Sequence, residues 1–533
     1  MGAFERLRGT LPPRDKSLSG SSPRSVRAAR QFIADLPPAD PVRNLERLTD
    51  LVDDLNRSRM SSGRRFAMLE ALRPGVRAVV ETVEKQLLNA GLPLPPVRLS
   101  LAQKVLELQG AFAMGFQEVV VDASGRNGLI PWWRKRRVRS ALHRAIHHRG
   151  LALAGAYLLY RLPRPGEWAS LHDLAHFAFA RGIAEQPVDD PLERRRSSIA
   201  QAYGEAALLA LCNPYRFGRR EQLQLRRAVS WMIQECRMGT RLREGFRVPE
   251  GEDRGPGYLP EEREQGPEPA LRLDLAPLAA RIESELAAGA DFIEAKGLRG
   301  GREPLPKHLA RRCLQSWRGE AARVRQRLPA MHRLDLAVGF GQIRLALGLE
   351  ERASASGNQQ ASAVRLVIAP TEVRDQSLGG YLIRWTPRES LKVRVGEVVG
   401  LALPVEDERD REWMLGVIRW MRFAQGEQLE CGVELLAHRF SAVAIEARDA
   451  AVPGLLYAPL RQDASAPQLV VPASGESLLA DRGEIQLRIE RGASEIGWPP
   501  GHRVRLVEVL ADYLVLEPMP AAQTTGQLVQ AAA

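Results

Sequence analysis

One change of rhythm governs what this chain can fold into. Up to about residue 347 its apolar residues recur at spacings of three and four, and from about residue 362 they alternate with a period of two. The first spacing paints a stripe along a helix, the second one face of a strand. In "DPVRNLERLTDLVDDLNRS", Val42, Leu45, Leu48, Leu51, Val52 and Leu55 fall on one stripe. "RFAMLEALRPGVRAVVETVEKQLLNAG" repeats the pattern, with a predicted break at Pro74 and an end near Gly91. Helices are predicted over 29–110, 138–246, 271–295 and 305–347, as helical hairpins stacked side by side.

Beyond the change, "AVRLVIA", "GGYLIRW", "KVRV", "EVVGLALP", "EWMLGVIRWMRF" and "QLECGVELL" are short, rich in Val, Ile, Leu and Trp, and parted by turn residues. Six strands in so short a span predict a small closed barrel. "QLVVPA", "EIQLRIE" and "HRVRLVEVLADYLVLEPM" follow, as a second barrel or an extension of the first. The expected fold class is multidomain α plus β. A flexible arm (1–28) precedes an all-α helical-hairpin region (29–246), a linker (247–270) and further helix (271–350). A second linker (351–361) leads to an antiparallel β-barrel (362–450), a second β-rich segment (455–520) and a flexible tail (521–533).

Composition removes several function classes. Net charge is +12, yet lysine supplies only 7 of the 76 Lys and Arg residues. That skew fits an arginine-biased genome, and with no aromatic ladder beside the charge, nucleic acid is not expected as a partner. Four widely spaced cysteines make no C-x-x-C, which argues against a zinc ribbon or disulfide framework and for a reducing compartment. Neither a signal peptide nor an apolar run long enough to span a bilayer is read, so a cytoplasmic protein is expected. There is no Walker A, no G-x-S-x-G and no cyclase or phosphodiesterase signature, so no catalytic role and no cofactor are expected.

The densest chemistry lies in "VRDQSLGGYLIRW". An aspartate can hold its own turn open by accepting backbone N–H groups, a serine can donate to a base edge or phosphate, and glycines let a backbone approach a planar ligand. With "VRVGEVVGLALPV", "WMLGVIRW" and "CGVELL" downstream in that order, the segment resembles a PilZ domain, a barrel that receives cyclic di-GMP. Asp375, Ser377 and Gly380 match the family's [D/N]-x-S-x-x-G. The resemblance covers about residues 362–440 and implies cyclic di-GMP as ligand.

The family also carries R-x-x-x-R just before its first strand. Here "GLEERASASGNQQASAVRL" offers Arg352, but Ser356 stands four residues on. Arg374 and Arg384, flanking the glycine turn, are expected to substitute in part. Loss of one bidentate guanidinium costs roughly 1.5–3 kcal/mol of charge-assisted bonding. The expected site set is therefore Asp375, Ser377, Gly380, Arg374, Arg352 and Arg384.

Two other constellations compete. His172 and His176 in "HDLAH", and His143 with His147, stand four apart on helices as zinc ligands do, which would suit a metal-dependent hydrolase. With no third ligand in view, the favoured reading is groove histidines and no metal. The stretch "WWRKRRVRSALHRAIHHR", Trp132 to Arg149, is the densest basic run, and a peripheral contact with anionic membrane through it is a further expectation. The expected function is a non-enzymatic signalling receptor or adaptor that relays cyclic di-GMP to an unknown protein partner through its helices. The alternative is a nucleotide-independent scaffold with a degenerate barrel.

Overall fold

The structure, a computed structural model, describes residues 2–14, 22–37, 40–88, 90–256, 270–295, 304–318, 327–349, 365–388, 391–406, 411–424, 427–446, 451–460, 466–476, 478, 486–492, 496–499 and 503–519. The 351–361 linker with Arg352 and Ser356, and the 521–533 tail, lie outside the described residues. The chain divides into two units. The first holds residues 1–90 and 94–324, the second 91–93 and 325–533.

The first unit is helical. Its helices are α1 (Ala3–Gly9), α2 (Val26–Ala34), α3 (Pro41–Arg57), α4 (Ser62–Leu88), α5 (Pro96–Ala123), α6 (Lys135–Leu158), α7 (Glu167–Ala180), α8 (Ile199–Leu211), α9 (Arg219–Met232), α10 (Ala276–Ala287) and α11 (Lys307–Trp317). Asp40 starts α3 by accepting from the Arg43 N–H, and Leu45, Leu48, Leu51, Val52 and Leu55 are buried as the stripe predicts. Val42 is not: it lies in the first turn and faces solvent. Pro74 does not break α4, which runs straight through it. A Cβ on the next residue, Gly75, would lie 2.3 Å from Ile33, so the helix surface is bare where α2 crosses it. α5 buries 15 of its 28 residues, all from Leu101 onward, and packs against α1, α3, α4 and α6.

Short strands interrupt the helices where continuous helix was predicted. β1 (Pro187–Asp190) and β2 (Arg195–Ser198) form a hairpin. β3 (Arg237–Gly239) and β4 (Phe246–Arg247) both pair with β5 (Arg272–Asp274), and β6 (Phe292–Ile293) pairs with β7 (Leu305–Pro306).

Described parts of two stretches predicted to be loose are pinned. In the N-terminal arm, α1 buries Phe4 and Leu7, with Phe4 stacked on Phe177 at 5.3 Å. In the 247–270 linker, Asp253 accepts from the backbone N–H groups of Gly166, Trp168 and Ala169 at 2.6–3.2 Å and so caps the start of α7. Low local hydrophobicity hid both, because the anchoring groups are one small apolar face and one carboxylate.

The second unit is β-rich. It comprises β8 (Leu328–Pro329), β9 (Arg333–Val338), α12 (Phe340–Ala346), β10 (Ile368–Ser377), β11 (Gly380–Trp385), β12 (Val398–Ala402), β13 (Trp413–Phe423) and β14 (Leu429–Ala437). Pairing runs β11–β14–β13–β12–β9–β10 and returns from β10 to β11, which closes a six-stranded antiparallel barrel. The number of strands is the predicted one, but the membership differs. "KVRV" makes only an isolated bridge at Val393. The sixth strand is β9, inside the stretch predicted to be helix over 305–347. β9 is held by non-local pairs, Leu336 with Ala369 of β10 and with Leu401 of β12.

β15 (Phe440–Glu446), β16 (Ala451–Tyr457), β17 (Gln468–Pro472), β18 (Gln486–Gly492), β19 (Arg503–Val509) and β20 (Tyr513–Met519) form a separate six-stranded sheet. One face shares a core with the outside of the barrel, where Ala337, Val398 and Val417 meet Leu455, Val470 and Tyr513. The other face buries Val443, Leu456, Leu469 and Leu516. The second β segment is thus a companion sheet, neither a second barrel nor more of the first.

Candidate functional site

The hairpin of β10 and β11 carries the motif. Ser377 pairs with Gly380 across a turn of two residues, Leu378 and Gly379. Gly380 has φ +151°, and a Cβ there would lie 2.0 Å from the Val433 carbonyl oxygen of β14. Only glycine fits so close a crossing. Ser377 turns inward: its Oγ accepts from the Gly379 N–H at 3.3 Å and lies 3.4 Å from the Gly380 carbonyl. The serine therefore shapes the turn, the task that the sequence suggested for the aspartate.

Asp375 sits on the strand, just past a bulge at Arg374 that shifts the register against β11. Its carboxylate takes no part in the turn and accepts from Arg327, with Nη1 at 2.5 Å. Arg327 reaches it because the segment after it runs antiparallel along β10. Leu328 pairs with Gln376 and Pro329 with Asp375, the Ala330 N–H donates to the Arg374 carbonyl, and the Val373 N–H donates to the His332 carbonyl. Arg374 is exposed, as are Leu328, Met331 and Leu378 around the same edge. The His332 ring meets Tyr381 of β11 edge-on at 6.5 Å. Charged forks beside exposed apolar side chains suit an anionic ligand with flat rings.

Arg384 is not part of this group. Its Nε donates to Glu430 at 3.1 Å, and Glu430 also receives Arg422 at 2.9 Å. Burial would raise the Glu430 carboxyl, but the hydrogen bonds from Arg384 and Arg422 hold it below its ordinary value. Arg384 lines a separate cleft of about 410 Å³ with Glu372, Arg388, Trp385 and Gln428, at the end of the hairpin away from the turn. Of the six expected residues, Asp375, Ser377, Gly380 and Arg374 come together, Arg384 lies apart, and Arg352 is outside the described residues.

The residue that the sequence reading missed is Arg327. The family pattern puts its paired arginines before the first barrel strand, and that strand is β9 rather than one starting at residue 363. Directly before β8, five residues ahead of β9, the sequence reads "RVRQR", with Arg323 and Arg327 four apart. That spacing was the available signal. Arg323 and Arg325 lie outside the described residues.

Two of the four histidines, His143 and His172, are engaged within the fold. The Nδ1 of His143 faces Arg144 at 2.9 Å, and a guanidinium can only donate, so Nδ1 accepts and Nε2–H donates to Ser197 at 2.8 Å. The Nε2–H of His172 donates to the Arg254 carbonyl at 2.7 Å, which leaves Nδ1 to accept from Tyr203 at 2.9 Å. Both rings of these two histidines are fully used. Burial, then the neighbouring Arg144, pushes His143 down to about 3, and burial pushes His172 down to about 4. Among the described residues no group of three or more His, Cys, Asp or Glu side chains could hold a metal.

Comparison with known proteins bears on both units. Residues 342–441 match the model of the cyclic-di-GMP receptor FimW, middle PilZ domain, and residues 27–241 match that of its N-terminal domain. The cyclic-di-GMP receptor FimW of Pseudomonas aeruginosa is 24% identical over 490 residues, covering 79% of this chain and 78% of that protein. No solved structure matches the chain.

Proposed function

With residues 342–441 belonging to the PilZ domain family, we propose that this protein is a receptor for cyclic di-GMP, held at the edge where Arg327 meets the Asp375–Gly380 motif. The single observation that carries this reading is the Arg327–Asp375 ion pair. It joins the end of an R-x-x-x-R sequence to the D-x-S-x-x-G turn, the two halves of the family's motif. The similarity to a cyclic-di-GMP receptor across 79% of the chain supports the same reading.

In this account Arg327 clasps a phosphate or guanine edge, and Arg374 adds a cation from the bulge. Ser377 and Gly380 keep the turn tight enough for the ligand to approach the backbone. Arg352 follows the first barrel strand and Arg384 is engaged by Glu430, so neither belongs to the clasp. The side chains of Arg327 and Asp375 are 24% and 18% exposed. Such a pair contributes only ~0–1 kcal/mol. A bidentate arginine–phosphate bond contributes about 1.5–3 kcal/mol, so the nucleotide can take Arg327 from Asp375. Until then Asp375 keeps the fork in place, which lowers the ordering cost of binding.

The protein carries out no chemistry on the nucleotide. It acts in the cytoplasm, where its four cysteines stay reduced, and passes the signal to a protein partner through its helical unit. Calorimetry with cyclic di-GMP on the full chain tests the reading. A dissociation constant tighter than about 100 μM supports it; a weaker one favours a nucleotide-independent scaffold whose barrel docks a protein.

A further inference from the structure

Between α5 and α6 the chain leaves the helical unit in a loop and re-enters through a single 3-10 turn, Trp132–Arg134. The loop presents its apolar residues outward. Trp132 is 83% exposed, Trp133 66% and Leu129 64%. The two indoles lie edge to face, centroids 5.8 Å apart, with neither ring buried against the unit. Single exposed apolar side chains are ordinary, whereas a contiguous patch marks an interaction site, and here three stand within five residues.

The surrounding charge is of one sign. From Ala123 to Gly166 the sequence contains no Asp or Glu. Arg144 and Arg149 of this stretch point inward to Asp190 and Glu167. Arg134 donates to the Ala123 carbonyl and Arg137 to the Ser62 hydroxyl, each at 3.5 Å, whereas Lys135 and Arg136 are exposed, and among the described residues none of these four pairs with a carboxylate. Three of them occupy the first turn of α6, which has no acidic residue to offset them. Cations at that end oppose the helix dipole, so the run works against the helix that carries it. A local cost without a local return points to a use outside the fold.

We propose that this loop is a peripheral anchor for an anionic phospholipid bilayer. Trp132, Trp133 and Leu129 enter the headgroup layer, where indole rings are favoured, and the cations beside them meet lipid phosphates. Bilayer docking requires only shallow apolar insertion and negative charge, and the loop offers both without a shaped groove. The anchor is independent of the nucleotide reading, because it uses residues of the helical unit alone.

Sedimentation of the full chain with vesicles tests it. Vesicles of phosphatidylglycerol mixed with phosphatidylcholine should carry the protein down, and phosphatidylcholine alone should not. Lys135→Gln with Arg136→Gln should weaken binding roughly fivefold per charge. Trp132→Ser with Trp133→Ser should weaken it about tenfold or more and remove the blue shift of tryptophan emission seen on adding vesicles. Unchanged circular dichroism in both variants would show that the unit still folds. No sedimentation with the anionic vesicles, or sedimentation that ignores the tryptophan change, overturns the proposal. Binding to an acidic polypeptide without binding to vesicles also overturns it, and assigns the loop to a protein partner.

Discussion

Replacing Arg327 by alanine separates the binding role of this residue from its structural one. The partner, Asp375, keeps access to water, so removal of the guanidinium leaves no sealed, unpaired charge. The loss of stability should therefore stay within about 1 kcal/mol, or some 2–4 °C in melting temperature for a unit of this size. Loss of the fork should weaken cyclic di-GMP binding by about 1.5–3 kcal/mol, roughly 10- to 150-fold. Calorimetric titration of the full chain, paired with thermal melts, reads both quantities. Arg352→Ala is the control, and should bind within about twofold of the parent. The reasoning fails if Arg327→Ala binds like the parent, and fails more instructively if Arg352→Ala is the one that loses affinity.

Other perturbations address the supports of the site and the helical unit. Gly380→Ala would push a Cβ against the Val433 carbonyl at a φ that only glycine tolerates well, so it should destabilise the barrel by about 2–3 kcal/mol; a melting temperature equal to the parent's would refute the close crossing. Glu430→Gln removes the negative charge and one of the two acceptor oxygens shared by Arg384 and Arg422 and should lower stability at neutral pH while leaving nucleotide affinity within about twofold, since Arg384 lies outside the clasp. His143 and His172 have folded values below their unfolded value of about 6.5, so the unfolded chain binds more protons in the window beneath it. The stability they confer is complete above about pH 6.5 and is lost as pH falls towards 4, by about 1.4 kcal/mol per pH unit for each ring. Melts at several pH values should show His172→Gln with a shallower fall than the parent; an identical slope would contradict the buried, neutral assignment.

The sequence made the large divisions visible and concealed the contacts that close them. The change of period marks where β structure dominates, because strands half-buried in a barrel must alternate. β9 escaped because "HRLDLAVGFGQIRLALG" also spaces its apolar residues as a helix does, and only pairing with β10 and β12, distant in the chain, decides it. Misplacing that strand displaced the arginine motif by some thirty residues and made the clasp look incomplete. Asp375, Ser377 and Gly380 were legible as a motif, but their tasks were not. A two-residue turn leaves Asp375 on the strand facing Arg327, and gives the turn to Ser377. Residues 250–255 dock on α7 through the Asp253 carboxylate and the His172 bond to the Arg254 carbonyl, and a composition-based reading takes Asp253 for a linker charge.

A structure of the full chain bound to cyclic di-GMP tests the central claim most directly. The nucleotide should lie against Arg327, Arg374 and the Ser377–Gly380 turn, with a phosphate or guanine edge on the Arg327 guanidinium and Arg384 still held by Glu430. Nucleotide seated in the cleft of Arg384 and Arg388, with Arg327 still on Asp375, would contradict it.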